Sequence, residues 1–206
     1  PKAVRDTVNS VLKNGTIDLS EMGLSTERIC QISQIYIVAC GSAYHVGVAA
    51  QYAIEDLSKI PVRVELASEF RYRKPLLDPN GLVVIVSQSG ETADSLAALR
   101  EAKSKGIETL AIVNVVGSSI AREADHVFYT LAGPEIAVAT TKAYSTQLIA
   151  AYVLAIKFAI AREEISEEEA QEMIKELTEL PDKISKILGE KERIQWFAAK
   201  VANLQD

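Results

Sequence analysis

The chain has 206 residues, 48% hydrophobic and 24% charged, the balance of an ordinary globular protein with one sizeable core and some appendages. A net charge of −6 without any basic cluster argues against nucleic-acid binding, which depends on Lys and Arg neutralising phosphates. Two cysteines, Cys30 and Cys40, are too few for a disulfide framework and fit the reduced thiols of a cytoplasmic protein.

Pro1 to Val4 reads as a helix already in progress, with no signal peptide before it. Residues 2–13 fit a helix ending on the C-cap pair Asn14-Gly15, and 1–33 together form an entering helix and linker. Residues 34–39 are β-branched and apolar, the first strand. Cys40-Gly41-Ser42-Ala43 then turns into a helix that runs to about Lys59, where Pro61 blocks it. Residues 62–66 alternate, as a strand near a sheet edge does. A short helix or turn at 69–73 and a loop marked by Pro75, Pro79 and Gly81 follow.

A strand at 82–86 feeds through Ser87-Gln88-Ser89-Gly90-Glu91-Thr92 into a helix to Lys105, with Gly106 as its cap. The strand at 109–113 leads to Gly117-Ser118-Ser119 and a short helix, and 127–130 is a last short strand. Thr140 to Arg162 is a long, mostly buried helix. Its most apolar stretch, Leu148 to Ile156, is too short for a bilayer, which needs about 20 residues. Ser166 to Glu169 forms a capping box that opens an amphipathic helix to about Leu188. Pro181 is expected to break that helix. Another runs from Glu190 to Leu204, and the chain stops without a Gly or Pro signal. A fragment of a longer protein is expected.

Strands alternating with helices imply right-handed βαβ units and a parallel sheet covered on both faces, a Rossmann-like three-layer α/β sandwich with extra N- and C-terminal helices. Ligands of such sheets bind beyond the carboxyl ends of the strands, where the strand order reverses. Three polar turns stand there: Gly41-Ser42, Ser87 to Thr92, and Asn114 to Ser119. The first reads C-G-S-A-Y-H-V-G rather than G-x-G-x-x-G, and no P-loop occurs, which argues against a nucleotide.

The second turn offers hydroxyls, a carboxamide and the N-terminus of a helix, a neutral cradle for a small anion. Such a turn can also be a plain helix cap, but one side-chain oxygen suffices for that and the hydroxyl density here is greater. Thr140-Thr141-Lys142 opens the long helix in a similar style and reads first as a cap. His45 and His126 lack metal-ligand spacing and read as structural or surface residues. Glu91 and Glu135 are candidate general bases without an identifiable partner. The cluster Glu69 to Arg73 suits either ion pairs in a subunit contact or an exposed helix.

Five blocks fall in order between residues 39 and 147: A-C-G-S-A-Y-H-V-G, E-L-A-S-E-F-R-Y-R, S-Q-S-G-E-T-A-D-S, N-V-V-G-S-S-I-A-R-E-A-D and E-I-A-V-A-T-T-K-A-Y-S-T-Q. Together they resemble the first of the two sugar isomerase (SIS) domains of the glutamine–fructose-6-phosphate aminotransferase family. The resemblance implies a five-stranded parallel sheet flanked by helices, with the SIS domain at 34–162 and C-terminal helices at 163–206 leading towards a second SIS domain. It implies binding of the phosphate of fructose-6-phosphate or glucosamine-6-phosphate, in amino-sugar biosynthesis, by Ser42, Ala43, Ser87, Gln88, Ser89 and Thr92. Val138 and Thr140 would stand beside the sugar.

The sequence departs from the family at Ala43, where a second hydroxyl is usual; one neutral hydrogen bond lost there costs about 1 kcal/mol. The family's glutaminase domain, second SIS domain and closing tail are not in this sequence. Neither Cys40 nor Lys142 matches a catalytic residue of that family. The resemblance therefore implies a fragment with weak or no sugar-phosphate binding, no catalysis of its own, no cofactor and no metal. It also implies a homodimer, to which the apolar helix at 143–161 would contribute. Two other readings remain open, a stand-alone SIS sugar-phosphate isomerase and a non-catalytic sugar-phosphate-sensing SIS module. A sensor would carry a basic recognition helix in residues 1–33, and none is visible there.

Overall fold

The apolar β-branched runs form the centre of the protein because their side chains can be buried on both faces of a parallel sheet. In the computed structural model, which describes residues 1–137 and 140–202, the chain begins with α1 (Lys2–Ser10), then β1 (Leu12–Lys13) and β2 (Thr16–Ile17), a 3-10 turn (Ser20–Met22) and α2 (Thr26–Gln31). The main sheet follows with β3 (Ile35–Ala39), α3 (Ser42–Ser58), β4 (Val62–Leu66), α4 (Ala67–Phe70), β5 (Leu82–Ser87), α5 (Ala93–Ser104), β6 (Glu108–Val113), α6 (Ser119–Glu123) and β7 (His126–Tyr129). Three helices complete the chain: α7 (Lys142–Ala161), α8 (Glu167–Gly189) and α9 (Lys191–Val201).

The sheet has five parallel strands in the order β4-β3-β5-β6-β7. Chain direction across it reverses between β3 and β5, which is the switch point where such sheets bind ligands. Alternate side chains sort into two cores. Ile35, Ile37, Val84 and Ile112 pack under α1, α2, α3, α7 and α8. Tyr36, Val38, Ile85 and Val113 pack under α4, α5 and α6. Gly47 lets α3 lie close on the sheet, since a Cβ there would stand 2.8 Å from Val64 Cγ1 and 2.9 Å from Ile37 Cγ2.

The structure revises three expectations. Asn14-Gly15 does not cap a helix reaching residue 13; α1 ends at Ser10, and the pair, at φ 53° and 79°, joins β1 to β2 with Leu12 opposite Ile17. Asn-Gly serves a two-residue hairpin as readily as a helix end, because both need left-handed backbone. Within the linker, Ser25 accepts the N–H of Arg28 and so caps α2, an element too short to give a helical period. Pro181 does not break α8, which runs through it with the ring buried; its capping box, Ser166 with Glu169, forms as expected.

The 20 residues of α7 are long and apolar enough to cross a membrane by length and composition, but the helix lies within the domain, packed chiefly on α3. Most of its apolar side chains are covered by its own chain. Among the described residues, Tyr152 is the one large apolar side chain that α7 leaves exposed.

Candidate functional site

The register of the sheet brings the ends of β3, β5 and β6 level: Ala39 pairs with Val86, and Ser87 with Val113. The three polar turns therefore share one rim. A cleft of about 370 Å³ opens there, between the β3–α3 turn, the β5–α5 turn and the segment leading into α7. Ser42, Ala43, Ser87, Gln88, Ser89, Thr92 and Thr140 all line it; Val138 lies outside the described residues.

The β5–α5 turn is held by its own hydroxyls. Ser87 Oγ accepts the N–H of Gly90 at 3.1 Å and stands 3.1 Å from Thr92 Oγ1. Ser89 Oγ accepts the N–H of Glu91 at 3.2 Å. Thr92 is the N-cap of α5, and its side chain makes no cap bond to the helix. Gly90 takes φ +66°, and a Cβ there would meet Ser118 Oγ at 2.0 Å, so the turn tolerates no side chain.

Three bonds tie this turn to the β6–α6 connection. Asn114 donates its N–H to Gln88 O at 3.1 Å, and Ile120 to Gly90 O at 3.0 Å. Ser119 donates its N–H to Glu91 Oε1 at 2.8 Å. That last bond, from the main chain of Ser119, holds the Glu91 carboxyl below its ordinary range. Glu91 thus caps α6 and does not line the cleft.

At the opposite wall, α3 starts at Ser42 with no side-chain cap bond; Tyr44 donates its N–H to Gly41 O at 3.1 Å, and the N–H groups of Ser42 and Ala43 are left to solvent or a ligand. Ser42 is exposed and Ala43 buried. Ala43 has no side-chain donor, so its main-chain N–H is the donor that this position offers. Arg71 reaches Asp94 at 2.6 Å and fixes α4 against the start of α5. Arg73 pairs with Glu65, so the charged cluster at 69–73 makes ion pairs inside the chain.

Glu135 forms part of the third wall. Its carboxylate accepts the N–H groups of Ala143 and Thr141, each at 3.2 Å, and Thr140 Oγ1 at 3.4 Å. The main-chain N–H of Ala143 foremost, then those of Thr141 and Ala137, with the Lys142 charge last, outweigh desolvation and hold it below the ordinary carboxylate value. It therefore caps α7, which the side chain of Thr141 does not. Among the described residues no lysine or arginine lines the cleft, and Lys142 is exposed outside it.

His126 is buried and bonded through Nδ1 to Met22 O at 2.9 Å and through Nε2 to Glu108 at 2.7 Å, while His45 is exposed on α3. Neither borders the cleft, in keeping with structural and surface roles. The asparagine of the third turn, Asn114, is occupied by Ala132 N–H and Gly133 O. Sequence reading missed Gln147, which lines the cleft from the second turn of α7. The available signal was a carboxamide on the buried face of an otherwise apolar helix.

A doubly covered parallel sheet with a hydroxyl-lined cleft at its switch point, free of lysine and arginine among the described residues, defines a sugar-isomerase-type α/β domain. Residues 28–157 match the SIS domain family, and the chain belongs to it. The glutamine–fructose-6-phosphate aminotransferase (isomerizing) of Caldanaerobacter subterraneus subsp. tengcongensis is 51% identical over all of this chain, which covers 34% of that protein. That of Clostridium acetobutylicum is 52% identical over 97% of the chain and 33% of the protein. The chain thus spans about a third of the length of these relatives. A structure of the C-terminal domain of glucosamine-fructose-6-phosphate aminotransferase from Francisella tularensis superimposes with a TM-score of 0.94 at 36% identity, over 98% of this chain and 57% of that one.

Proposed function

We propose that this chain is the phosphate-holding SIS domain of a glutamine–fructose-6-phosphate aminotransferase. Its cleft receives the phosphate of fructose-6-phosphate or glucosamine-6-phosphate in amino-sugar biosynthesis. The observation that carries the reading is the meeting of the Ser87–Thr92 hydroxyl turn with the uncapped start of α3 at the sheet's switch point. The naming of relatives at about 50% identity supports it. Ser42, Ser87, Gln88, Ser89 and Thr92 supply neutral donors, Ala43 contributes its main-chain N–H, and Thr140 stands at the sugar side.

Holding is separate from chemistry in this scheme. Glu91 and Glu135 are engaged as ionised helix caps and are not free to act as bases. Ring opening and isomerisation fall to a second SIS domain, and ammonia release to a glutaminase domain, both in the longer polypeptide. The domain boundaries are 34–162 for the SIS unit and 163–206 for helices running on towards the second. The whole protein works in the cytoplasm as a homodimer, and this fragment alone forms no glucosamine-6-phosphate.

The test is a titration of the isotope-labelled chain with fructose-6-phosphate, followed through main-chain amide shifts. The expected result is millimolar binding that moves the amides of Ser89 to Thr92. Ser89→Ala weakens it several-fold, as the loss of one neutral hydrogen bond requires. Unmoved turn amides at saturating ligand, or product formed by the fragment, overturn the proposal.

A further inference from the structure

Gln147 is 2% exposed, and its Oε1 is buried with no hydrogen-bond partner among the described residues. Buried side-chain oxygens without partners are rare in native interiors, and each calls for an explanation. An apolar residue would suit this face of α7, where Ala143, Ala150, Ala151 and Leu154 are all buried. Among the described residues the only other such atom, Ser118 Oγ, sits behind Gly90 and does not line this cleft. Gln147 differs, since it lines the same cleft as Ser42, Ser87, Ser89 and Thr92.

We propose that Gln147 is a positioning residue for the sugar end of the ligand, its carboxamide oxygen accepting a hydrogen bond from a ligand hydroxyl. The inference rests on the sugar-phosphate reading of the cleft. Its chemistry is selective, because Oε1 can only accept. The oxygens of a fully ionised phosphate monoester also only accept, so they cannot satisfy it. A hydroxyl or amino group can. The two ends of the ligand are thereby told apart: the phosphate goes to the hydroxyl turn and the α3 N-terminus, and a hydroxyl-bearing carbon goes to α7. If the carboxamide turns over, a hydroxyl still pairs with it, since hydroxyls both donate and accept. Inorganic phosphate held at the hydroxyl turn has no carbon-borne hydroxyl to extend to α7, so its affinity does not depend on Gln147, whereas that of a sugar phosphate does.

The experiment compares the wild-type chain with Gln147→Leu and Gln147→Met, titrated separately with fructose-6-phosphate and with inorganic phosphate. Amide shifts give the affinities and thermal melts give the stability. The expected result is about tenfold weaker fructose-6-phosphate binding in both variants with inorganic phosphate affinity unchanged. Melting temperatures should be unchanged or raised, because an orphaned polar atom has been removed. A merely structural role would weaken both ligands together and lower the melting temperature, and that result overturns the inference. So does an unchanged affinity for fructose-6-phosphate in either folded variant, while leaving the phosphate reading intact. Failure of the wild-type chain to bind either ligand overturns both.

Discussion

Replacing Gly90 by alanine tests whether the hydroxyl turn has the geometry described. Two penalties combine. The backbone at φ +66° costs a residue with a Cβ about 1–2 kcal/mol. The new methyl would also meet Ser118 Oγ at 2.0 Å and Ser118 Cβ at 2.5 Å. The hydroxyl can rotate away, but the Cβ is fixed to the main chain, so α6 or the turn must shift. Overpacking of this kind costs roughly 1–3 kcal/mol. The sum, about 2–5 kcal/mol, corresponds to roughly 4–20 °C in Tm for a domain of this size. Urea unfolding of the wild type, Gly90→Ala, Ser118→Gly and the double variant reads the two terms apart. The double variant should recover the steric part and retain the backbone part, giving a clear coupling in the cycle. A loss below about 1 kcal/mol in Gly90→Ala, or strict additivity in the cycle, refutes the reasoning.

Other perturbations have equally definite signs. Glu135→Gln should destabilise the protein at neutral pH by weakening the cap on α7. Because Glu135 titrates below its ordinary value of 4.5 in the folded state, its contribution is full above that value and is lost as pH falls through the lower folded one. Melting curves of the two proteins should therefore converge in acid, and a gap that stays constant with pH counts against the cap. Glu108→Ala strips His126 of its 2.7 Å partner and Arg28 of its 2.5 Å partner, and should cost about 2 kcal/mol in chemical denaturation; a change within error means that the network is idle. Gly47→Ala pushes a methyl against Val64 and Ile37 and should cost roughly 1–3 kcal/mol, whereas stabilisation would show that α3 has room to spare.

The sheet was legible because β-branched runs such as 35–39 and 82–86 have few alternatives to a doubly buried strand; β4 stands at the edge as expected, but its alternation in burial fails at Glu65, half-buried, and Leu66, exposed. The polar turns were legible because their hydroxyls exceed what capping needs. Less visible was anything decided by distant packing. Asn14-Gly15 carries the same local signal for a helix end and a hairpin, and only the pairing of Leu12 with Ile17 selects between them. Pro181 lies where tertiary contacts keep α8 continuous. Glu91 and Glu135 looked like possible bases because their main-chain partners, Ser119 and Ala143, are contributed by neighbouring elements. Gln147 stands just before the apolar run of α7, 55 residues beyond Thr92, and only folding carries it to the same cleft.

The three bonds from Asn114, Ser119 and Ile120 to the β5–α5 turn make two loops into one opening unit. None of these donors needs to touch a ligand, yet none can be released to solvent without loosening the turn. Their amide hydrogens should consequently exchange at a common rate, set by one local opening free energy. Deuterium uptake at 114, 119 and 120 becomes a gauge of the site's integrity in the empty protein. It can separate a variant that has lost a contact from one that has lost its scaffold.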